Sequence, residues 1–100
     1  MKNKKIDNQV IYLNAGGVLK YNHFTDTLII IDGGILESNL LTNCIIFIKK
    51  GTFKNNHLHF CGTTEEMADR TIDKIKKNEL SIKDAMKKIC VQWVIDEETK

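Results

Sequence analysis

Leu28-Ile29-Ile30-Ile31 and Cys44-Ile45-Ile46-Phe47-Ile48 decide how this chain folds. Both runs are apolar without a break, short, and rich in β-branched residues, so both read as strands. A strand with one wet face alternates; these do not, so each needs cover on both faces. Asp32-Gly33-Gly34 closes the first run as a turn, and Lys49-Lys50-Gly51 follows the second. Upstream, Val10-Ile11-Tyr12-Leu13 and Val18-Leu19-Lys20-Tyr21 read as two short strands, with Gly16-Gly17 as a hairpin turn between them. Downstream, His57-Leu58-His59-Phe60-Cys61 alternates, as a strand with Leu58 and Phe60 on its core face. Residues 22–26 form a polar connection, and residues 35–43 favour no single state. No internal repeat or low-complexity tract stands out.

The character of the chain changes at Gly62. Thr63 or Thr64 is placed to cap a helix whose first turns hold Glu65, Glu66 and Asp69 and whose last turn holds Lys74, Lys76 and Lys77. That order of charge suits the helix dipole. Met67, Thr71, Ile72 and Ile75 make its apolar stripe, and Asn78 stops it. Ser81 opens a second helix, with Asp84 three residues on and Ile82, Met86, Ile89 and Trp93 along one face. Residues 90–95 read equally as the end of that helix or as a final strand. Strands first and helices last predict an α+β protein: a mostly antiparallel sheet from residues 9–61, then two C-terminal helices packed on one sheet face. Residues 1–100 form one domain, with 1–8 and 96–100 loose. The helices cover one face of the apolar strands. A second copy of the chain is the expected cover for the other, unless residues 35–43 and the N-terminal segment fold over it.

One hundred residues exclude a second domain or a separate cofactor domain. The net charge of +2 is too small to point to nucleic acid or an anionic membrane. Arg70 is the sole arginine among 15 basic residues, which leaves the chain poorly equipped to read guanine edges. The lack of proline and the abundance of Lys, Asn and Ile suit an A/T-rich coding bias, compatible with a phage or viral origin. No apolar run reaches the length of a membrane span, and Asp7, Asn8 and Gln9 interrupt what would be a signal segment after the basic N-terminus. Three widely spaced cysteines, Cys44, Cys61 and Cys90, suit free thiols and a cytoplasmic location.

Several residue groups are candidates for chemistry. On a regular strand His57, His59 and Cys61 share one face, offering two imidazoles and a thiol to a metal ion, or a thiolate with an adjacent base. Side chains two apart on one strand sit roughly 6–7 Å apart, awkward for three ligands on one tetrahedral ion. A polar strand face is the plainer reading, and His23 is the remaining histidine. Lys49, Lys50 and Lys54, with the helix start at Thr63 and Thr64, form a candidate anion or ligand site. Solvated lysines and ordinary capping explain the same residues. Asp26, Asp32 and Glu37 are loop carboxylates in no recognised catalytic spacing. Gly16-Gly17 and Gly33-Gly34 match no phosphate-binding fingerprint. No cofactor is implied.

Residues 44–75, from Cys-Ile-Ile-Phe-Ile to Asp73-Lys74-Ile75, resemble the strand–turn–strand–helix stretch of a TATA-box-binding-protein repeat, with an insertion at Thr52–Asn56 and without its glycine-lysine turn. Ile11-Tyr12-Leu13-Asn14-Ala15 and the C-terminal third resemble a viral anti-CRISPR ring-nuclease family, whose glycine-histidine motif has no counterpart here. Neither resemblance carries site residues over. The expected function is therefore that of a small, non-catalytic interaction protein, a homo-oligomer that binds a protein partner or a small ligand. The alternatives are a nucleotide or nucleic-acid binder using the lysines, and a metal- or thiol-dependent enzyme using His57, His59 and Cys61.

Overall fold

Asn22, Asn39 and Asn56 lie 17 residues apart and stack on one another in the interior of the protein. Their spacing is the length of one coil. In this computed structural model, which describes residues 5–90 and 92–99, the chain winds as a β-solenoid. The first coil holds β1 (Lys5–Asp7), β2 (Val10–Asn14) and β3 (Val18–Lys20). The second holds β4 (His23–Thr25) and the long β5 (Leu28–Glu37), and the third holds β6 (Leu40–Thr42) and β7 (Ile45–Lys54). β8 (His57–Thr64) begins a fourth coil, which the chain then leaves for α1 (Asp69–Lys76) and α2 (Ile82–Ile89). It returns as β9 (Gln92–Glu98).

Each strand pairs in parallel with its counterpart one coil on: Lys5 with His23, Val10 with Leu28, Leu28 with Ile45, Leu40 with His57. Parallel neighbours need a crossover of a dozen residues or more, which the rest of each coil supplies. Among the described strands, only β9 runs antiparallel, along β8. The expected antiparallel sheet over residues 9–61 is therefore overturned, and the α+β description with it. Gly16-Gly17 is no hairpin turn, because β3 pairs with β5 and not with β2. Asp32-Gly33-Gly34 is no strand end, since β5 runs through it. The likeness of residues 44–75 to a TATA-box-binding repeat lapses too, because β7 and β8 are successive parallel coils.

The corners explain why the strands wind and do not reverse. Asn8, Asp26, Asn43 and Phe60 turn one corner at φ of 55°, 47°, 54° and 53°. Tyr21, Ser38 and Asn55 turn the next at 59°, 60° and 56°. One left-handed residue redirects the chain without folding it back. Asn and Asp adopt this conformation readily, whereas Tyr21 and Phe60 hold it at a cost of about 1–3 kcal/mol each. Gly51 turns the third corner at φ 121°, where a Cβ would stand 2.5 Å from the Gly34 carbonyl oxygen of the coil beside it.

The apolar runs are covered twice, as their lack of alternation requires. Ile29, Ile31 and Ile46 point into the solenoid with Leu13, Phe24, Leu36, Leu41, Leu58, Cys44 and Cys61. Leu28, Ile30, Ile45 and Phe47 point out, beneath Ile72, Ile75, Ile82, Ala85, Met86 and Cys90 of the helical segment. The face assigned to a second copy is thus filled by the chain's own strands, residues 35–43 among them. These complete β5, turn the corner at Ser38–Asn39, and form β6.

The C-terminal third departs from expectation at its boundaries. α1 begins at Asp69 after Ala68, and no side chain caps it; Thr63 and Thr64 end a strand instead. The Ser81 hydroxyl does cap α2, accepting from the Asp84 amide at 3.1 Å. Asn78 ends the first helical segment at φ 60°. Residues 92–98 are strand, so Trp93 lies on β9 and not on a helix face, and residues 96–98 are paired and not loose. Residues 5–7 pair as well, while residues 1–4, Val91 and Lys100 lie outside the described residues.

Candidate functional site

Alternation holds in β8 only as far as the corner. His57 and His59 point outward and Leu58 inward. Phe60 then takes its left-handed turn, stays 46% exposed, and brings Cys61 fully inside. The expectation that Phe60 faces the core and Cys61 joins the histidines fails for this reason. The Cys61 thiol donates to the Leu41 carbonyl at 3.2 Å, as Cys44 donates to that of Phe24 at 3.4 Å. Cys44 and Cys61 occupy, one and two coils on, the rung position of Thr27, whose hydroxyl donates to the Thr25 carbonyl at 2.8 Å. Cys61 close by, together with burial, pushes the Cys44 thiol far up. Burial alone pushes Cys90 up to about 11. Among the described residues, no three His, Cys, Asp or Glu side chains are placed to hold a metal ion.

The histidines lie on one flat outer face. Register puts Lys5, His23, Leu40, His57 and Glu98 in one column, and Asp7, Thr25, Thr42, His59 and Asp96 in the next. The Thr25 hydroxyl donates to Asp7 at 2.7 Å, His23 Nε2 lies 3.5 Å from the Thr42 hydroxyl, and His57 Nε2 bonds to Asp96. The His57–Asp96 bond ties β9 to the face of β8. The face is thus polar, and its side chains pair from one strand to the next.

The lysine candidates are divided between faces. Lys54 lies 3.7 Å and Lys20 3.1 Å from the two oxygens of Glu37, a ladder of alternating charge across three coils. The Lys20 ammonium, hydrogen-bonded to Glu37, holds that carboxyl below the usual carboxylate range, and Lys54 adds to the effect. Lys49 and Lys50 are exposed at the end of the helix-covered strand, with Lys49 Nζ 5.8 Å from the Phe47 ring centre. Thr64 pairs in register with Phe47, but its hydroxyl donates to the Glu66 carbonyl at 2.8 Å. Thr63 and Thr64 therefore offer no helix N-terminus to an anion, and Lys54 is on another face.

Sequence reading missed two features. One is an open groove of about 380 Å³ between the Asn8–Asp26 corner and the α1–α2 connection, lined by Asp7, Asp26, Ile75, Leu80, Ile82 and Lys83 among others. Of the loop carboxylates singled out from sequence, only Asp26 belongs to it. The other feature is the pair of solenoid ends. At the C-terminal end β9 covers β8, and the Thr99 hydroxyl accepts from the Asn56 amide at 2.9 Å, where a further coil would supply the next asparagine. At the N-terminal end, β1, β2 and β3 each pair on one side only among the described residues. Ile6, Ile11 and Leu19, on the inward side of this first coil, are only partly buried. The signal for both ends was the 17-residue spacing itself.

No protein-family profile matches this chain, and neither a curated protein nor a solved structure proves similar to it. No helix among the described residues is long and apolar enough to cross a membrane.

Proposed function

We propose that this is a non-catalytic interaction protein of the cytoplasm that works by self-association, with the N-terminal end of the solenoid as its contact surface. The observation that carries the reading is β2, Val10-Ile11-Tyr12-Leu13-Asn14. It is an uncharged edge strand with no partner on its outer side among the described residues. Unpaired backbone N–H and C=O groups along such an edge are a template for another strand. The half-covered Ile6, Ile11 and Leu19 beside it add apolar area to the same surface. The polar histidine face, the inward-bonded thiols and the divided lysines favour binding over catalysis. Three unpaired, buried cysteines suit a reducing compartment. Native mass spectrometry of the full chain tests the reading. A species of two or more copies is expected, and a single-chain mass at micromolar protein would sink it.

A further inference from the structure

We infer that the contact is isologous: two copies meet N-terminal end to N-terminal end about a two-fold axis at Ile6, with β1 antiparallel to β1. This rests on the reading of the open end as the self-association surface, and it commits to a second copy of this chain as the occupant.

Three observations lead to it. First, the opposite end is closed to stacking. Glu97 pairs in register with Leu58, an inward position, and Asp96 and Glu98 flank it. Seating that end on the apolar first coil of another copy would bury the Glu97 carboxylate against Ile6, unpaired. Head-to-tail growth is therefore disfavoured. Second, β1 is self-complementary in charge. Lys5 and Asp7 are exposed and point outward, while Ile6 between them packs toward the core. Antiparallel pairing about Ile6 sets Lys5 opposite Asp7 of the second copy and Asp7 opposite its Lys5. Opposite charges in such positions attract, and like charges would repel. Third, the same rotation carries β2 of one copy over β3 of the other. These edges hold Val10–Asn14 and Val18–Lys20, and Lys20 is their one charge. The pairing covers Ile6, Ile11 and Leu19 of both copies at once. A molecule of principal extents 29 × 27 × 22 Å offers on the order of 500 Å² at one end, so a pair buries about 1,000 Å² in total, the lower bound of specific interfaces.

The test is a charge swap on the full chain, read by native mass spectrometry and by sedimentation over a dilution series, with circular dichroism to show that each variant folds. The wild type is expected as a dimer. Lys5→Asp alone and Asp7→Lys alone each place like charges opposite one another twice per dimer, and should weaken dimerisation at least about tenfold. The double variant K5D/D7K restores both pairs in reversed order and should return the dimer to within about threefold of wild type. A wild-type monomer overturns the self-association reading and this geometry together. A wild-type dimer indifferent to the single reversals, a double variant no better than the singles, or an open series of higher oligomers would each overturn the two-fold geometry alone.

Discussion

At the C-terminal end of the solenoid the last coil is closed by β9, which runs against the grain of every other strand, carries Asp96, Glu97 and Glu98, and ends the interior asparagine ladder with a threonine hydroxyl. At the N-terminal end the first coil presents three parallel strands, an uncharged β2, and partly covered isoleucine and leucine side chains. The same coil geometry thus ends in two ways. Charged residues and an antiparallel cap are devices that keep an edge from recruiting another strand; β2 carries neither, and β3 carries Lys20 alone. An end that is guarded and an end that is not imply that association, where it occurs, has a direction.

The largest expected effect lies between the ends. Asn39 is 4% exposed and serves both neighbouring coils. Its Oδ1 accepts from the Asn22 amide at 2.9 Å, and its Nδ2 donates to the Leu19 and Glu37 carbonyls at 2.9 and 3.1 Å. Asn39→Ala removes these buried hydrogen bonds and opens a void. It should cost about 3–5 kcal/mol in chemical denaturation. A loss below about 1 kcal/mol would mean that water replaces the amide, and that the ladder does not hold the coils together.

The contribution of the cap is smaller and separable. Thr99→Val keeps the side-chain volume and removes the hydroxyl that accepts from the Asn56 amide. The backbone bond from the Thr99 amide to the Asn56 carbonyl, at 2.7 Å, remains. The expected loss is about 1 kcal/mol, because a group at the end of the ladder regains water more easily than one at its centre. The oligomeric state should not change, since the proposed contact lies at the other end. A shift in subunit number on Thr99→Val would contradict the assignment of the two ends.

Much of the local chemistry was legible in the sequence, and the winding was not. The two apolar runs declared strands covered on both faces, and Ser81 and Asn78 marked helix boundaries by capping and by left-handed tolerance. The mark of the winding in the sequence, passed over in favour of an antiparallel sheet, is Asn22, Asn39 and Asn56 at constant spacing. The ladder repeats identity only at that position; elsewhere it repeats size, as in Phe24, Leu41 and Leu58, or burial, as in Thr27, Cys44 and Cys61. A search for repeated letters passes over such a pattern. Gly16-Gly17 and Gly33-Gly34 resemble hairpin turns because glycine serves hairpins and solenoid corners for the same reason, access to positive φ. Cys61 was misplaced by a single left-handed residue. Two-residue periodicity assumes an unbroken strand, and Phe60, a side chain that seldom adopts that conformation, gives no warning of the corner. The site residues grouped from sequence were thereby divided. The N-terminal end, marked among the described residues by strands that pair on one side only, has no local signature.

The smallest expected effect concerns a bond that begins at the open end. Lys20 belongs to the first coil and Lys54 to the third, and Glu37 lies between them with the shorter contact to Lys20. The Glu37 carboxyl is depressed below its ordinary value of 4.5, first by the Lys20 hydrogen bond. A depressed carboxyl contributes stability that is present above the unfolded-state value and is lost as pH falls through the folded one. Wild type should therefore exceed Glu37→Gln in melting temperature at pH 7, with the difference fading below about pH 4.5. High salt should shrink it as well, because all three side chains reach solvent. Lys20→Gln should remove more of the difference than Lys54→Gln. If Lys54→Gln has the larger effect, the ladder is anchored from the closed end. If the advantage of wild type grows toward acid pH, the charges do not stabilise the fold, and the columns along this face are held by backbone pairing alone.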